Sequence, residues 1–283
     1  MTAGLELPPA VRAFDALAPS FDERFGAWRS VAAQRRAVRR ALLRAFPRGA
    51  RVIELGGGTG DDALFLAAEG RRVLLTDGSP AMCARGEAKV RAASAETAVT
   101  VRHATLEGFD DFAARVAADS TVFDGAFSNF AALNCLEDLT PVARGLARLL
   151  RPRARVLLVM FGPFAPAEVL VELLRGRPHQ SLRRLAGGPV PASVGGRSFH
   201  VFYPGPHRVA RQFSPWFTRV ATRGIGICVP PSAAEPWISK YPRLLSVLET
   251  ADRVLTRPLA FLGDHVLVEC VRTDRPLDAG DAR

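Results

Sequence analysis

The chain has 283 residues, 48% of them hydrophobic, enough for one large α/β domain with a buried core or for two small ones. It lacks any run of about 18 apolar residues that would cross a membrane, and its opening stretch MTAGLELPPAVRAFDALAPSFDERF lacks the basic-then-apolar order of a secretory signal. The formal charge of +10 comes almost wholly from arginine, since only Lys89 and Lys240 are lysines, and its spread along the chain reads as compositional bias rather than as a nucleic-acid surface.

In chain order, residues 1–27 read as irregular or weakly helical. Trp28, Val31, Val38, Leu42 and Phe46 recur at helical spacing, with Arg36, Arg40 and Arg44 as a stripe on another face, and Pro47 and Gly49 end that helix. The period then changes. Strands are predicted over 51–55, 72–76, 99–103, 123–128 and 154–161. Helices are predicted between them over 61–69, 80–92, 108–118 and 139–150, with Ser79 as N-cap and Pro80 in the first turn of the second. This alternation implies a doubly wound parallel sheet with right-handed crossovers. After Phe161 the rhythm breaks into a Pro-, Gly- and Arg-rich stretch over 162–210 with one predicted helix, 166–175, followed by a loop-like run, RPHQSLRRLAGGPVPASVGGRS. Residues 219–229 read as strand, 241–256 as helix and 265–272 as a final strand. Cys83, Cys135, Cys228 and Cys270 form no C-x-x-C pair, the pattern of free thiols in a reducing cytoplasm rather than of a zinc site.

The chemistry gathers in VIELGGGTGDDA, residues 52–63, where a strand turns into a helix. Ligands of doubly wound sheets bind at such turns, beyond the carboxyl ends of the strands. Glycines let the backbone come close to a ligand and adopt positive φ. Spacing alone leaves two cofactor classes open. Gly58, Gly60 and Ala63 satisfy the dinucleotide pattern G-x-G-x-x-A, whose pyrophosphate uses helix N–H groups. The other class is S-adenosylmethionine, which carries no phosphate. Asp77, at the end of the second strand, can accept from both hydroxyls of a ribose in either case.

The wider order resembles the class I S-adenosylmethionine-dependent methyltransferases. Glu54 with Gly56, Gly57, Gly58 and Gly60 resembles their E/D-x-G-x-G-x-G motif, and Asp77 in VLLTDGSP their ribose-binding acid. FDGAFSNFAALNCLEDL resembles their fourth strand and the loop lining the methionine end, and ARLLRPRARVLLVMF the helix, turn and fifth strand that follow. AFDALAPSFDERF resembles a Y-D-x-x-A-x-x-Y-D segment that closes over the cofactor, with Phe14 and Phe21 in place of the tyrosines. The resemblance implies a mainly parallel seven-stranded sheet with an antiparallel last strand. In it, residues 1–27 and an insertion over 162–210 form a small cap, 28–161 the cofactor core, 211–272 the rest of the sheet and 273–283 a frayed tail. It implies S-adenosylmethionine as cofactor, with S-adenosylhomocysteine as product. Glu54, Gly56, Gly57, Gly58, Gly60, Asp77, Gly78, Ser79, Thr105, Leu106, Ser128, Asn129, Phe130 and Phe21 are its implied contacts. Ala104 stands where the family often has an acid for the adenine amine, so packing, backbone groups, Thr105 or Glu107 must serve instead.

Methyl transfer from a sulfonium needs positioning and at most one base. Candidates for the base are His200, Tyr203 and His207 in SFHVFYPGPH, with His200 and Phe202 on one face of a strand; the competing reading is a strand edge with a half-buried His. Asn129-Phe130 lacks the prolines of the N/D-P-P-Y/F motif that binds a flipped base, which argues against a nucleobase acceptor. Asp110, Asp111, Glu137 and Asp138 lie at helix starts, where the dipole favours carboxylates, so no metal is expected. The expectation is a cytoplasmic enzyme, monomer or homodimer, that methylates an O, N or C nucleophile of a small metabolite. An RNA or carrier-protein methyltransferase docking through Arg36, Arg40 and Arg44, a nicotinamide oxidoreductase, and a non-catalytic cofactor-binding module are the alternatives.

Overall fold

The computed structural model describes residues 7–119, 121–130 and 132–277. The first helices are α1 (Pro9–Leu17), α2 (Phe21–Gly26) and α3 (Arg29–Ala45). The alternating core follows as β1 (Arg51–Leu55), α4 (Asp61–Ala68), β2 (Arg72–Asp77), α5 (Pro80–Ala92), β3 (Val99–His103), α6 (Phe109–Ala118), β4 (Phe123–Ser128), α7 (Thr140–Leu149) and β5 (Leu150–Phe161). Then come α8 (Pro166–Leu174), α9 (Pro178–Ser181), β6 (Val190–Val194), β7 (Arg197–Val201), α10 (Pro206–Phe213), β8 (Phe217–Ile225), α11 (Pro242–Leu255) and β9 (His265–Arg272).

One seven-stranded sheet has the order β3-β2-β1-β4-β5-β9-β8. Its β1 to β5 are parallel, and β9 runs antiparallel between β5 and β8. Burial on both faces explains the continuous apolar runs of the strands. Along β5, Val156, Leu158 and Met160 join the cluster under α6, α7 and α10, and Leu157 and Val159 join the opposite cluster under α3 and α4. The period of two is that of a strand. Strand order reverses between β1 and β4, so the crevice opens there. Because β9 is antiparallel, its first residue, His265, pairs with the last residue of β5, Phe161, and reaches the same edge of the sheet.

Three segments are more regular than the sequence suggested. Residues 9–26 are helical, with Ala10, Ala13 and Leu17 forming the buried stripe of a helix too short to stand out. Within the stretch read as loop, β6 and β7 form a hairpin whose connection is Gly195-Gly196, both at positive φ (57° and 76°). A two-residue Gly-Gly loop between strands is a hairpin signal that the sequence did carry. The hairpin packs on α1 through Val190, Phe199 and Val201 against Ala10 and Ala13. Residues 206–213, for which no element is predicted, form the helix α10. No described helix is long and apolar enough to cross a membrane.

Candidate functional site

One cleft of about 370 Å³ runs along the carboxyl edge of the sheet, under α1, α2 and the hairpin. At one end it is lined by Gly56, Gly58, Asp77, Gly78 and Ser79; at the other by Phe130, Phe161, Phe199, Tyr203 and His265.

The glycine turn is built for close approach. Gly56, Gly58 and Gly60 all have positive φ. Gly58 N donates to Asp77 Oδ2 and Ser79 N to Asp77 Oδ1, each at 2.8 Å. Both oxygens keep a lone pair for a further donor. Burial pushes the Asp77 carboxyl up, and the two backbone N–H groups oppose it. Gly57 and Gly60 shape the turn without lining the cleft: Gly57 N donates to Thr76 O at 3.0 Å, and Gly60 is the left-handed N-cap of α4.

Asp15 and Asp22 fasten the N-terminal helices over this turn. Asp15 Oδ1 accepts from Ser79 Oγ at 2.6 Å and from Ala81 N at 2.9 Å, at the positive end of α5. Asp22 Oδ1 accepts from Thr59 Oγ1 at 2.6 Å, with Lys89 at 3.3 Å. Phe21 thereby lines the cleft, as do Val11, Met82 and Leu106, which offer apolar walls in place of an acid at Ala104.

Several of the expected contacts make internal hydrogen bonds. Ser128 is fully buried and its Oγ donates to Leu55 O at 3.0 Å, strapping β4 to β1. Asn129 is turned away from the cleft: its Nδ2 donates to Asp62 Oδ2 at 2.7 Å, and its Oδ1 accepts from Phe130 N. That hydrogen bond accompanies a positive φ of 50° at Phe130, which does line the cleft. Thr105 Oγ1 accepts from Gly108 N at 3.2 Å and borders the turn into α6.

Glu54 is buried below the glycines, and its Oε2 has no hydrogen-bond partner. Burial, then Asp62, hold its pKa well above the usual range, against the pull of Arg35. A carboxyl with a raised folded pKa costs stability as pH rises from its unfolded pKa through its folded one. Glu54→Gln, which removes the charge and keeps the shape, is therefore expected to melt above the parent at roughly pH 9 and level with it at roughly pH 4, measured by scanning fluorimetry.

The three candidate bases do not gather. His200 is exposed on β7, opposite Pro191, because the alternation of the strand sends Phe199 and Val201 inward instead. His207 is exposed in the first turn of α10. Tyr203 does line the cleft, 6.1 Å from the Phe161 ring, and burial raises its pKa despite Arg183 and Arg184. Cys135 also lines the cleft, and burial pushes its thiol up to about 12, leaving no thiolate nucleophile.

The sequence reading missed two residues here. Asn134, fully buried, donates to Phe202 O at 2.6 Å and accepts from Phe161 N at 2.8 Å, so one amide joins the hairpin exit to the end of β5. His265 lies in the wall of the cleft; the only sequence cue was an Asp-His pair at the start of a strand. Of the arginine stripe, Arg36 is taken by Glu249 of α11, while Arg40 lies beside Arg253 and Arg44.

These residues fit a nucleoside that carries a sulfonium. Gly56 and Gly58 give a bare cradle, Asp77 would hold the ribose hydroxyls, and Met82 and Leu106 would flank the base. A diphosphate fits poorly, because Asp61 and Asp62 fill the first turn of α4 and Asp22 lies over Thr59. Residues 53–156 match the family model described as a methyltransferase domain. Among solved structures, the chain is similar to an S-adenosylmethionine-dependent methyltransferase from Methanosarcina mazei, at 16% identity and a TM-score of 0.54 over 82% of this chain and 97% of that one. It is also similar to the CcbJ methyltransferase from Streptomyces caelestis, at 15% identity and a TM-score of 0.52 over 85% of this chain and 89% of that one. At these identities the likeness is one of fold. A search of curated proteins found no match. The chain thus has the fold of the class I S-adenosylmethionine-dependent methyltransferases, its residues 53–156 match a methyltransferase domain, and S-adenosylmethionine is the methyl donor of that class.

Proposed function

We propose that the protein methylates an oxygen, nitrogen or carbon nucleophile of a small, largely apolar acceptor. The observation that carries this reading is the cleft itself. It is continuous from the glycine turn to the Phe161–Tyr203 end, walled by Phe14, Phe199 and Val201, and covered by α1 and the hairpin. That cover suits a ligand of a few hundred Å³ better than a nucleic acid strand.

When bound, the cofactor supplies a methyl group on a positively charged sulfur. The chain's own part is placement. Asp77 and the glycine backbone would fix the ribose and methionine region, and Phe14, Phe199 and Phe161 would orient the acceptor and keep water out. The chain should bind S-adenosylhomocysteine and not NAD, measured by titration calorimetry on the purified protein. NAD binding with no S-adenosylhomocysteine binding would refute the reading. Turnover is tested by a panel of apolar metabolites with isotope-labelled methyl donor and mass detection.

A further inference from the structure

Beneath the far end of the cleft, side chains distant in sequence converge on the start of β9. Asp264 is buried, and its Oδ1 accepts from Arg184 Nη2 at 2.6 Å. The Arg184 guanidinium on Oδ1 marks it as the ionised carboxylate, which is an acceptor only. Its Oδ2 must then face the amide nitrogen of Gln34, and Gln34 Nε2 lies 3.2 Å away. That fixes the amide the other way at its second contact: Gln34 Oε1 faces His265 Nδ1 at 3.0 Å. An amide oxygen cannot donate, so Nδ1 carries the hydrogen. In the neutral ring Nε2 therefore holds the lone pair. Asp264 Oδ2, 3.4 Å from the same Nδ1, favours the same tautomer.

The ring is also held in place. Phe161 stacks on it at 4.6 Å and 24°, and Phe130 meets it edge-on at 5.4 Å and 80°. Arg184, which holds Asp264, lies over the rings of Phe161 and Tyr203 and is braced from behind by Glu168. His265 lines the cleft, and its Nε2, which no described residue hydrogen-bonds, is open to that cleft. The two nitrogens of the ring therefore have different surroundings. Here one is anchored through three buried polar side chains, and the other is left for a molecule in the cleft.

We propose that His265 is the general base of this site and that the acceptor atom is a hydroxyl oxygen on an apolar, ring-bearing molecule. This rests on the methyltransferase reading above. A neutral amine attacks without prior loss of a proton, whereas a hydroxyl is a weak nucleophile until its proton is withdrawn. A positioned base between aromatic walls therefore favours the hydroxyl. Nε2 takes the O–H proton as the oxygen's electron pair forms the bond to the methyl carbon. The carbon–sulfur bond breaks with its pair going to sulfur, which becomes neutral, and the imidazolium releases its proton to solvent.

The test is ¹⁵N NMR of histidine-labelled protein with S-adenosylhomocysteine, the His265 signals being assigned by their loss in His265→Asn. The expected spectrum has a proton on Nδ1 and none on Nε2. A proton on Nε2 alone would overturn the proposal, and this readout needs no turnover. The second arm uses catechol and aniline as probes with labelled methyl donor. Transfer to the catechol oxygen is expected, with kcat falling about 100-fold or more in both His265→Asn and His265→Gln. S-adenosylhomocysteine affinity in those variants should stay within about twofold of the parent, which separates a lost base from a misfolded site. Transfer to aniline nitrogen as fast as to catechol oxygen, or variants that keep the parent's kcat, would sink it. A parent protein that fails to bind S-adenosylhomocysteine would instead overturn the methyltransferase reading, independently of the tautomer.

Discussion

Asp77→Ala should weaken S-adenosylhomocysteine binding by about 100-fold, read by titration calorimetry. The carboxylate is the charged group placed where β2 ends and the cleft begins, and each of its oxygens has capacity beyond the backbone N–H it already accepts. Two hydrogen bonds to a charged acceptor are worth about 1.5–3 kcal/mol each, discounted for the water that refills the gap; about 3 kcal/mol remains, or roughly 100-fold. Asp77 also supports the turn, so affinity alone does not separate a lost ribose contact from a loosened loop. A chemical cycle does. The parent should discriminate by a similar factor against an S-adenosylhomocysteine analogue lacking both ribose hydroxyls, and Asp77→Ala should bind the two compounds alike. A variant that still prefers the hydroxylated compound would show that the hydroxyls meet another group. The raised pKa of Asp77 adds a sign. Donors from the ribose favour the ionised carboxyl, so affinity should be full above the free-protein pKa and fall as pH drops through it.

The parts of the site legible in the sequence are those written in backbone. The glycines at 56, 58 and 60 and the acid at 77 lie on consecutive elements of the alternating core, so their place at one sheet edge follows from the order of elements. Ser128 and Asn129 show the limit of that logic. They are at the right strand end, yet burial turned both to internal partners, Leu55 O and Asp62. Which way a polar side chain turns depends on what its neighbours leave unsatisfied, and those neighbours lie 73 and 67 residues away. His200 faces outward for a simpler reason, a parity of one residue on a strand whose inward set is Phe199 and Val201. Gln34 and Arg184 left no cue, and Asp264 and His265 only their adjacency at the start of a strand. They belong to α3, to the segment after α9 and to the entrance of β9, and only the antiparallel placement of β9 beside β5 brings them together.

Gly56→Ala should cost both stability and cofactor affinity, for two reasons that can be separated. The residue has φ of +61°, where a side chain costs roughly 1–2 kcal/mol. An added Cβ would also lie 2.3 Å from Ala132 Cβ, so the turn between β4 and α7 must move. Ala132 lies in the cleft wall, and so the movement is transmitted to the ligand. The expected outcome is a loss of about 3 kcal/mol, a fall in melting temperature of about 2–4 °C per kcal/mol and at least tenfold weaker S-adenosylhomocysteine binding. Gly49→Ala isolates the backbone effect, since Gly49 has φ of +84° with nothing within 4 Å of its added Cβ. It should lose only the first part, and no affinity. The double variant Gly56→Ala with Ala132→Gly removes the collision and keeps the strain, so it should recover the affinity while melting no higher than Gly49→Ala. If the double variant binds as poorly as the single one, the methyl–methyl contact is not what limits the cleft, and the left-handed turn itself must be the element that the cofactor needs unaltered.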